Sequence, residues 1–300
     1  MIDFLQRVVD GVSLGAIYAL IALGYTMVYG VLQLINFAHG DVFMLGAMMG
    51  WYASSEWTSQ SKNPGILSAM AVTLFAMVVC GIVGLVIERF AYRPLRASPR
   101  LNSLITAIGV SFLLEYGGQL VFGPNPRGFG VLPHRASSAI AGISIGYVDV
   151  VTIIASVVLM FVLQRIVFHT RMGTAMRAVS FNPSVAALMG VNIDLVISFT
   201  FVLGSTLAAV AGILYASKYP SVHPLMGLMP GLKAFVAAVL GGIGNVPGAM
   251  LGGLILGIAE QLVSGYVSSS WKDAVAFAIL ILILLVKPTG LLGRGQPEKV

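Results

Sequence analysis

The sequence predicts an all-α integral membrane fold, a bundle of about eight membrane-crossing segments that includes one broken or re-entrant hairpin. Three observations predict it. First, 58% of the 300 residues are hydrophobic and 9% are charged, whereas a soluble domain carries about 25% charged residues. Second, apolar runs near the ~20 residues that cross a bilayer recur along the whole chain. Third, the longest apolar block is interrupted by Leu240-Gly-Gly-Ile-Gly-Asn-Val-Pro-Gly248. That is turn chemistry, and at membrane depth it is tolerated only where protein or a water-filled cavity satisfies the backbone. No linker divides the chain, so residues 1–300 read as one membrane domain.

The segments follow in order. The first is Gly11 to Leu32. It is about 20 residues long and has no small-residue cleavage site, so it reads as a retained helix. A polar break, Gln33 to Asp41, leads to a short run from Val42 to Tyr52. Asp41, after Gly40, is placed to cap that run. Then come Gly65 to Ile87, Leu101 to Phe122, Tyr147 to Phe168 and Ile193 to Ala216. The interrupted block is Leu232 to Val263, and Asp273 to Val286 is last.

Charge sets the orientation. Arg89, Arg93, Arg96 and Arg100 share one short loop, Arg165, Arg171 and Arg177 another, and Lys287, Arg294 and Lys299 the tail. The positive-inside rule makes all three cytoplasmic. The parity then works only if the interrupted block enters and returns, which agrees with its turn chemistry. The same counting puts the N-terminus outside if Val42 to Tyr52 completes a crossing. The outer loop Gly123 to Gly146 is either a partner-binding loop or a solvated linker. The net charge of +6 is thereby spent on topology, and no nucleic-acid surface is expected. Bilayer lipid is the expected surroundings.

Motifs narrow the chemistry. There is no Gly-x-x-x-x-Gly-Lys-[Ser/Thr], and no Gly is followed by Lys anywhere, so the chain has no such cradle for ATP. No cofactor, metal site or catalytic residue is expected, and the single Cys80 reads as a buried, inert thiol. Gly-x-x-x-Gly occurs at Gly11/Gly15, Gly46/Gly50, Gly248/Gly252 and Gly253/Gly257. That spacing lets a second helix approach closely. Glu115 and Glu260 lie inside apolar segments; they either line a polar route or pair with a neighbouring helix. Asp149, Asp194, Lys233 and Asp273 fall at segment ends, where snorkelling explains them. The segment Arg171 to Asn192 is basic and amphipathic, with Met176, Val179, Val185, Leu188 and Met189 among polar residues. Asn182-Pro-Ser184 can cap a short helix there. It reads as a knob for a soluble partner or as a helix lying on anionic lipid.

That segment resembles the coupling loop of ABC importer permeases: Ser184-Val-Ala-Ala-Leu-Met-Gly190 keeps an Ala (Ala186) and the Gly (Gly190) of Glu-Ala-Ala-x-x-x-Gly. Four longer blocks resemble the LivH-type permeases of branched-chain amino acid importers. They are Ala16 to Gly30, Ile35-Asn-Phe-Ala-His-Gly-Asp41, Lys233 to Met250 and Pro288-Thr-Gly-Leu-Leu-Gly293. The resemblance implies a subunit of the bacterial inner membrane with a cytoplasmic C-terminus. Its implied partners are a LivM-like second permease, two cytoplasmic ABC ATPases and a periplasmic solute-binding protein. The implied substrates are leucine, isoleucine and valine, or urea and short amides, which close relatives carry. The residues expected along the route are Tyr18, Tyr25, Asn36, His39, Glu115, Asn245 and Glu260. Those expected at the ATPases are Arg177, Asn182, Ala186, Ala187 and Gly190. A second reading, from another class, is an ion-coupled transporter acting alone through Glu115, Asp41 or His39. A non-transporting scaffold would leave the Gly/Pro break without a use.

Overall fold

The computed structural model describes residues 2–57, 65–96, 98–131, 138–140 and 143–293. Arg294 and Lys299, which entered the charge argument, lie outside them, as do residues 58–64 and parts of the loop 123–146. The fold is a helical bundle, and seven helices among the described residues are long and apolar enough to cross a membrane.

Helix α1 spans Ile2–Leu32 and is buried from Gly11 onward over most of its length. It starts nine residues earlier than the apolar run, because Asp3, Gln6, Arg7 and Asp10 continue the helix with polar residues. Helix α2, His39–Trp57, follows an extended stretch opened by Gln33 at φ 53°. Asp41 does not cap it. It lies in the first turn, and its carboxylate accepts a 2.5 Å hydrogen bond from Ser111. Helices α3 (Ile66–Ile87) and α4 (Arg100–Phe122) are joined through a π-turn at Glu88–Tyr92. Then come α5 (Tyr147–His169), α6 (Arg171–Phe181), α7 (Pro183–Leu188) and α8 (Ile193–Lys218). The interrupted block is α9 (Leu228–Gly241) and α10 (Val246–Tyr266), and α11 is Lys272–Val286.

The hairpin is present, but its turn is not in the middle of the bundle. Gly242 lies against Thr289 and Gly293, and Gly244 against Gly30 near the end of α1. This is the arginine-rich end, where α6 also meets α1 through a hydrogen bond from Ser180 to the Gly30 carbonyl. The irregular backbone inside the bundle is elsewhere. Helix α9, only 14 residues long, begins where Gly227 and Gly231 meet Gly40 backbone to backbone. At the same place His39 packs edge-on against Tyr25 with ring centroids 4.8 Å apart. Two helix N-termini, those of α2 and α9, therefore meet in the interior beside α1. The break at Gln33 to Asp41 and the loop before α9 are the two interruptions of regular helix.

The Gly-x-x-x-Gly pairs at 11/15, 46/50, 248/252 and 253/257 are packing surfaces. A Cβ on Gly11 would stand 2.7 Å from Ile258 Cα, and one on Gly15 would stand 2.8 Å from the Gly253 carbonyl. Gly253 and Gly257 return the contact against Ala19, Gly15 and Gly11, and α1 against α10 is the most extensive seam among the described residues. Gly46 and Gly50 face Ala209 and Ile213 on α8, and Gly248 and Gly252 face Gly241 and Ala237 on α9. Lipid offers no hydrophobic drive for helices to associate, so close backbone contact does that work.

Candidate functional site

One face of α1 carries Leu14, Tyr18, Tyr25 and Tyr29, spacings that bring them to one side of a helix. This face borders two cavities. At the end opposite the arginines, a cavity of about 630 Å³ is lined by Tyr18, Tyr215, Tyr219, Met229, Lys233 and Glu260, among others. At the arginine-rich end, a cavity of about 590 Å³ is lined by Thr26, Tyr29, Gly30, Arg177, Ser180 and Asn245, among others. Between them sits an aromatic plug. Phe235 lies 6.0 Å from the Tyr25 ring and 6.2 Å from the Phe37 ring, and His39 packs on Tyr25.

The residues expected along a route divide among these places. Tyr18 and Glu260 come together: the Tyr18 hydroxyl donates to Glu260 at 2.9 Å. Tyr25 and His39 are in the plug. Asn245 borders the arginine-end cavity. There its Oδ1 accepts from Gly248 N at 3.1 Å, capping α10, while its Nδ2 donates to the Leu292 carbonyl at 2.7 Å. Asn36 is buried and accepts a 2.9 Å hydrogen bond from Tyr92. Glu115 is not at either cavity. It is buried on α4 beside Asp41, with Ser111 bonded to the same carboxylate. Replacing Asn245 by Ala removes a cap worth about 1 kcal/mol and frees the chain at Leu292. Thermal unfolding of the purified protein is expected to fall by a few degrees, and Asn245→Asp, which keeps the acceptor, to recover part of it.

Sequence reasoning missed two charged clusters. Lys233 is not a snorkelling side chain. It is 3% exposed and holds Glu260 at 2.7 Å and Asp273 at 2.6 Å. Helix α9 begins five residues before it, so Lys233 is internal, and its partners come from α10 and the start of α11. The second cluster ties the arginine-rich end. Glu88, fully buried, accepts from Arg96 and from Ser198 (2.7 Å), and Asp194 accepts from Arg93 and from Arg96 (2.5 Å). It joins the π-turn after α3 to the first turns of α8. The only sequence signal was an acidic residue directly after 22 mostly apolar ones. Asp149 is likewise paired, with Lys218 at 2.6 Å and Ser13 at 2.7 Å. Ser13 lies in Gly11-Val-Ser13-Leu-Gly15, which has the spacing of a hydrolase nucleophile elbow. Here it is inside α1, with no strand or sharp turn, and is wholly buried.

Helices α6 and α7 form a projecting elbow. Thr170 caps α6 through Gly173 N at 3.0 Å, Asn182 caps α7 through Val185 N at 3.2 Å, and Asn192 caps α8 through Leu195 N at 3.1 Å. Gly190 closes α7 at φ 84°, a left-handed conformation that favours glycine. Met176, Val179 and Ala186 point inward and are buried. Phe181 (90% exposed), Leu188 (87%), Met189 (80%) and Val185 point outward. Ala187 is also exposed. Arg177 folds back onto the Val167 carbonyl and stacks over Phe168 at 5.5 Å. Asn182 and Gly190 thus shape the elbow, and the apolar tip is the surface it presents. Contiguous exposed apolar groups on a polar segment mark an interaction site.

Comparison with known proteins gives the fold a family. Residues 7–284 match the model of the branched-chain amino acid transport system permease component family. The chain is 46% identical to the high-affinity branched-chain amino acid transport system permease protein LivH of Escherichia coli K12, over 99% of this chain and 98% of that one. It is 41% identical to the corresponding protein BraD of Pseudomonas aeruginosa, with the same coverage. It is 26% identical to the ribose import permease protein RbsC of Haemophilus influenzae, over 90% of this chain and 81% of that one. With a match over nearly its whole length, and a bundle of apolar helices to carry it, this chain belongs to the family of branched-chain amino acid transport permeases.

Proposed function

We propose that this chain is one permease half of an ATP-driven importer for leucine, isoleucine and valine. It works in the bacterial inner membrane with a LivM-like second permease, two cytoplasmic ABC ATPases and a periplasmic solute-binding protein. The arginine-rich end faces the cytoplasm, with the C-terminal segment there, and the Lys233 cavity faces the binding protein.

The observation that carries the reading is the α6–α7 elbow. Its apolar tip lies at the arginine-rich end and is exposed. Its roots run into the core: Ser180 holds the end of α1, and the chain after Gly190 enters α8. Asp194 then ties α8 to the arginines after α3. A pull on the tip is therefore delivered to three membrane helices at once. Closing and opening of the ATPases on nucleotide binding would rock these helices against the α9–α10 hairpin. The Tyr25–Phe235 plug would then pass from one cavity's side to the other's. This is the general form of alternating access, with interrupted helices near the moving site.

A solitary ion-coupled transporter would have no use for the elbow. The test is uptake of radiolabelled leucine and urea by the reconstituted complex, with binding protein, with and without ATP. Leucine is expected to accumulate only with ATP, and urea not at all. Leucine uptake by this chain alone without ATP would overturn the proposal.

A further inference from the structure

The outer cavity combines charged and apolar groups in a way that suits one class of ligand. Its wall carries buried charges of both signs. Lys233 (3% exposed) and Glu260 (4%) are 2.7 Å apart, Asp273 lies 2.6 Å from Lys233, and the Tyr18 hydroxyl donates to Glu260 at 2.9 Å. The Lys233 ammonium also lies 6.0 Å from the centre of the Tyr18 ring. The same wall also carries Leu14, Leu225, Met226 and Met229, with Met229 one helical turn before Lys233. Methionine and leucine side chains adapt their shape to different aliphatic groups.

A buried ion pair is a poor source of stability, since desolvation consumes most of the Coulomb energy. Here the pair borders an open cavity of about 630 Å³ instead of closed core. The first turn of α9 forms part of the same wall, so a helix N-terminus adds positive potential beside Lys233. Two carboxylates offset it. A ligand carrying both an ammonium and a carboxylate can enter without leaving any of these charges unpaired. Its carboxylate takes Lys233, and its ammonium takes Glu260 and Asp273. A ligand with one charge strands a partner, which is costly in a desolvated site.

We infer that the Lys233–Glu260–Asp273 cluster is a cradle for the zwitterionic head of an α-amino acid, with its aliphatic side chain against the methionines and leucines. The cradle is a resting place on the route after the binding protein releases its cargo. This rests on the function proposed above and adds residues and a selection rule to it.

The test uses the assembled permease–ATPase complex in lipid nanodiscs, nucleotide-free and without binding protein. Binding of tritiated leucine is measured against leucinamide, which lacks the carboxylate, and 4-methylpentanoate, which lacks the ammonium. Each analogue is expected to compete at least about 30-fold more weakly than leucine, as expected when one of a pair of buried charges loses its partner. Lys233→Met with Glu260→Gln removes the buried pair together and leaves Asp273, whose side chain is 39% exposed and can be solvated, so the site stays close to neutral in stability. That double variant is expected to copurify with the ATPases and melt near the parent, yet to lose leucine binding by a similar factor. Lys233→Arg is expected to retain binding. Equal competition by all three ligands, absence of leucine binding to the parent complex, or unchanged leucine binding and uptake KM in the assembled double variant would each overturn the cradle. If ATP-driven leucine uptake occurs while any of these holds, the cradle alone fails. If no ATP-driven leucine uptake occurs in the parent, the proposed function fails as well.

Discussion

Leucine at Gly15 or Gly257 is expected to abolish the folded permease. The seam of α1 against α10 is closed by backbone on both sides. The ideal Cβ of Gly15 already stands 2.8 Å from the Gly253 carbonyl and from Leu254 Cα, and that of Gly257 stands 2.6 Å from the Gly11 carbonyl. These neighbours are main chain and have no rotamer by which to retreat. Overpacking a core costs about 1–3 kcal/mol where side chains can shift, and here two helix axes must separate. The cost is expected to exceed about 3 kcal/mol, a large part of the roughly 5–15 kcal/mol that holds a native protein together. Size-exclusion chromatography of the detergent-solubilised protein should return little or no monodisperse material. Gly109→Leu is the control. Gly109 is helical and exposed, with nothing within 4 Å of its Cβ position, and this variant is expected to elute and melt as the parent does.

Leu188→Asp is expected to separate the ATPases from the membrane subunits without disturbing the bundle. Leu188 is 87% exposed at the tip of α7, so the folded chain loses no packing. An apolar side chain at the centre of a contact is worth about 2–4 kcal/mol, or roughly 30- to 1000-fold in affinity. A buried aspartate adds its own desolvation cost. Copurification of the ATPases and ATP-driven uptake should both fall by that order, while the melting of the isolated subunit stays put. Phe181→Asp, 90% exposed on the preceding turn, should do the same. If either variant keeps its ATPases, the elbow is not the docking element.

Much of the architecture was legible because lipid leaves the sequence few choices. Apolar runs located most of the crossing helices within a few residues, although α1 starts nine residues before its run. Gly-x-x-x-Gly located the seams, and Asn182-Pro-Ser located the start of α7. What was not legible depended on partners far along the chain. Lys233 looked like a helix-end lysine, because its carboxylates lie on α10 and α11 and no spacing announces them. The turn at Gly242 to Asn245 looked internal, because apolar sequence continues on both sides of it and no charge beside it marks a membrane end. Its place at the arginine-rich end is set by contacts with Gly30 and Gly293. Glu115, charged in an apolar helix, fits either a polar route or a contact with a neighbouring helix. The same property serves a contact with Asp41 on α2. An intramembrane charge announces that it needs a partner, but not which one.

The burial of α1 has a consequence for how the molecule is made. Its small-residue face, Gly11 and Gly15, fits residues 253 to 258, which the ribosome adds some 240 residues later. Until α10 arrives, the helix that ends up at the centre stands in lipid with its closest contact missing. Tyr18 is in the same position, since its acceptor Glu260 is on that late helix. Helix α1, made well before α10, is therefore enclosed only once α10 is in place. A chain halted before α10 leaves a groove along α1 that only α10 matches. Damage to the late helix should accordingly appear as misassembly of the earliest one.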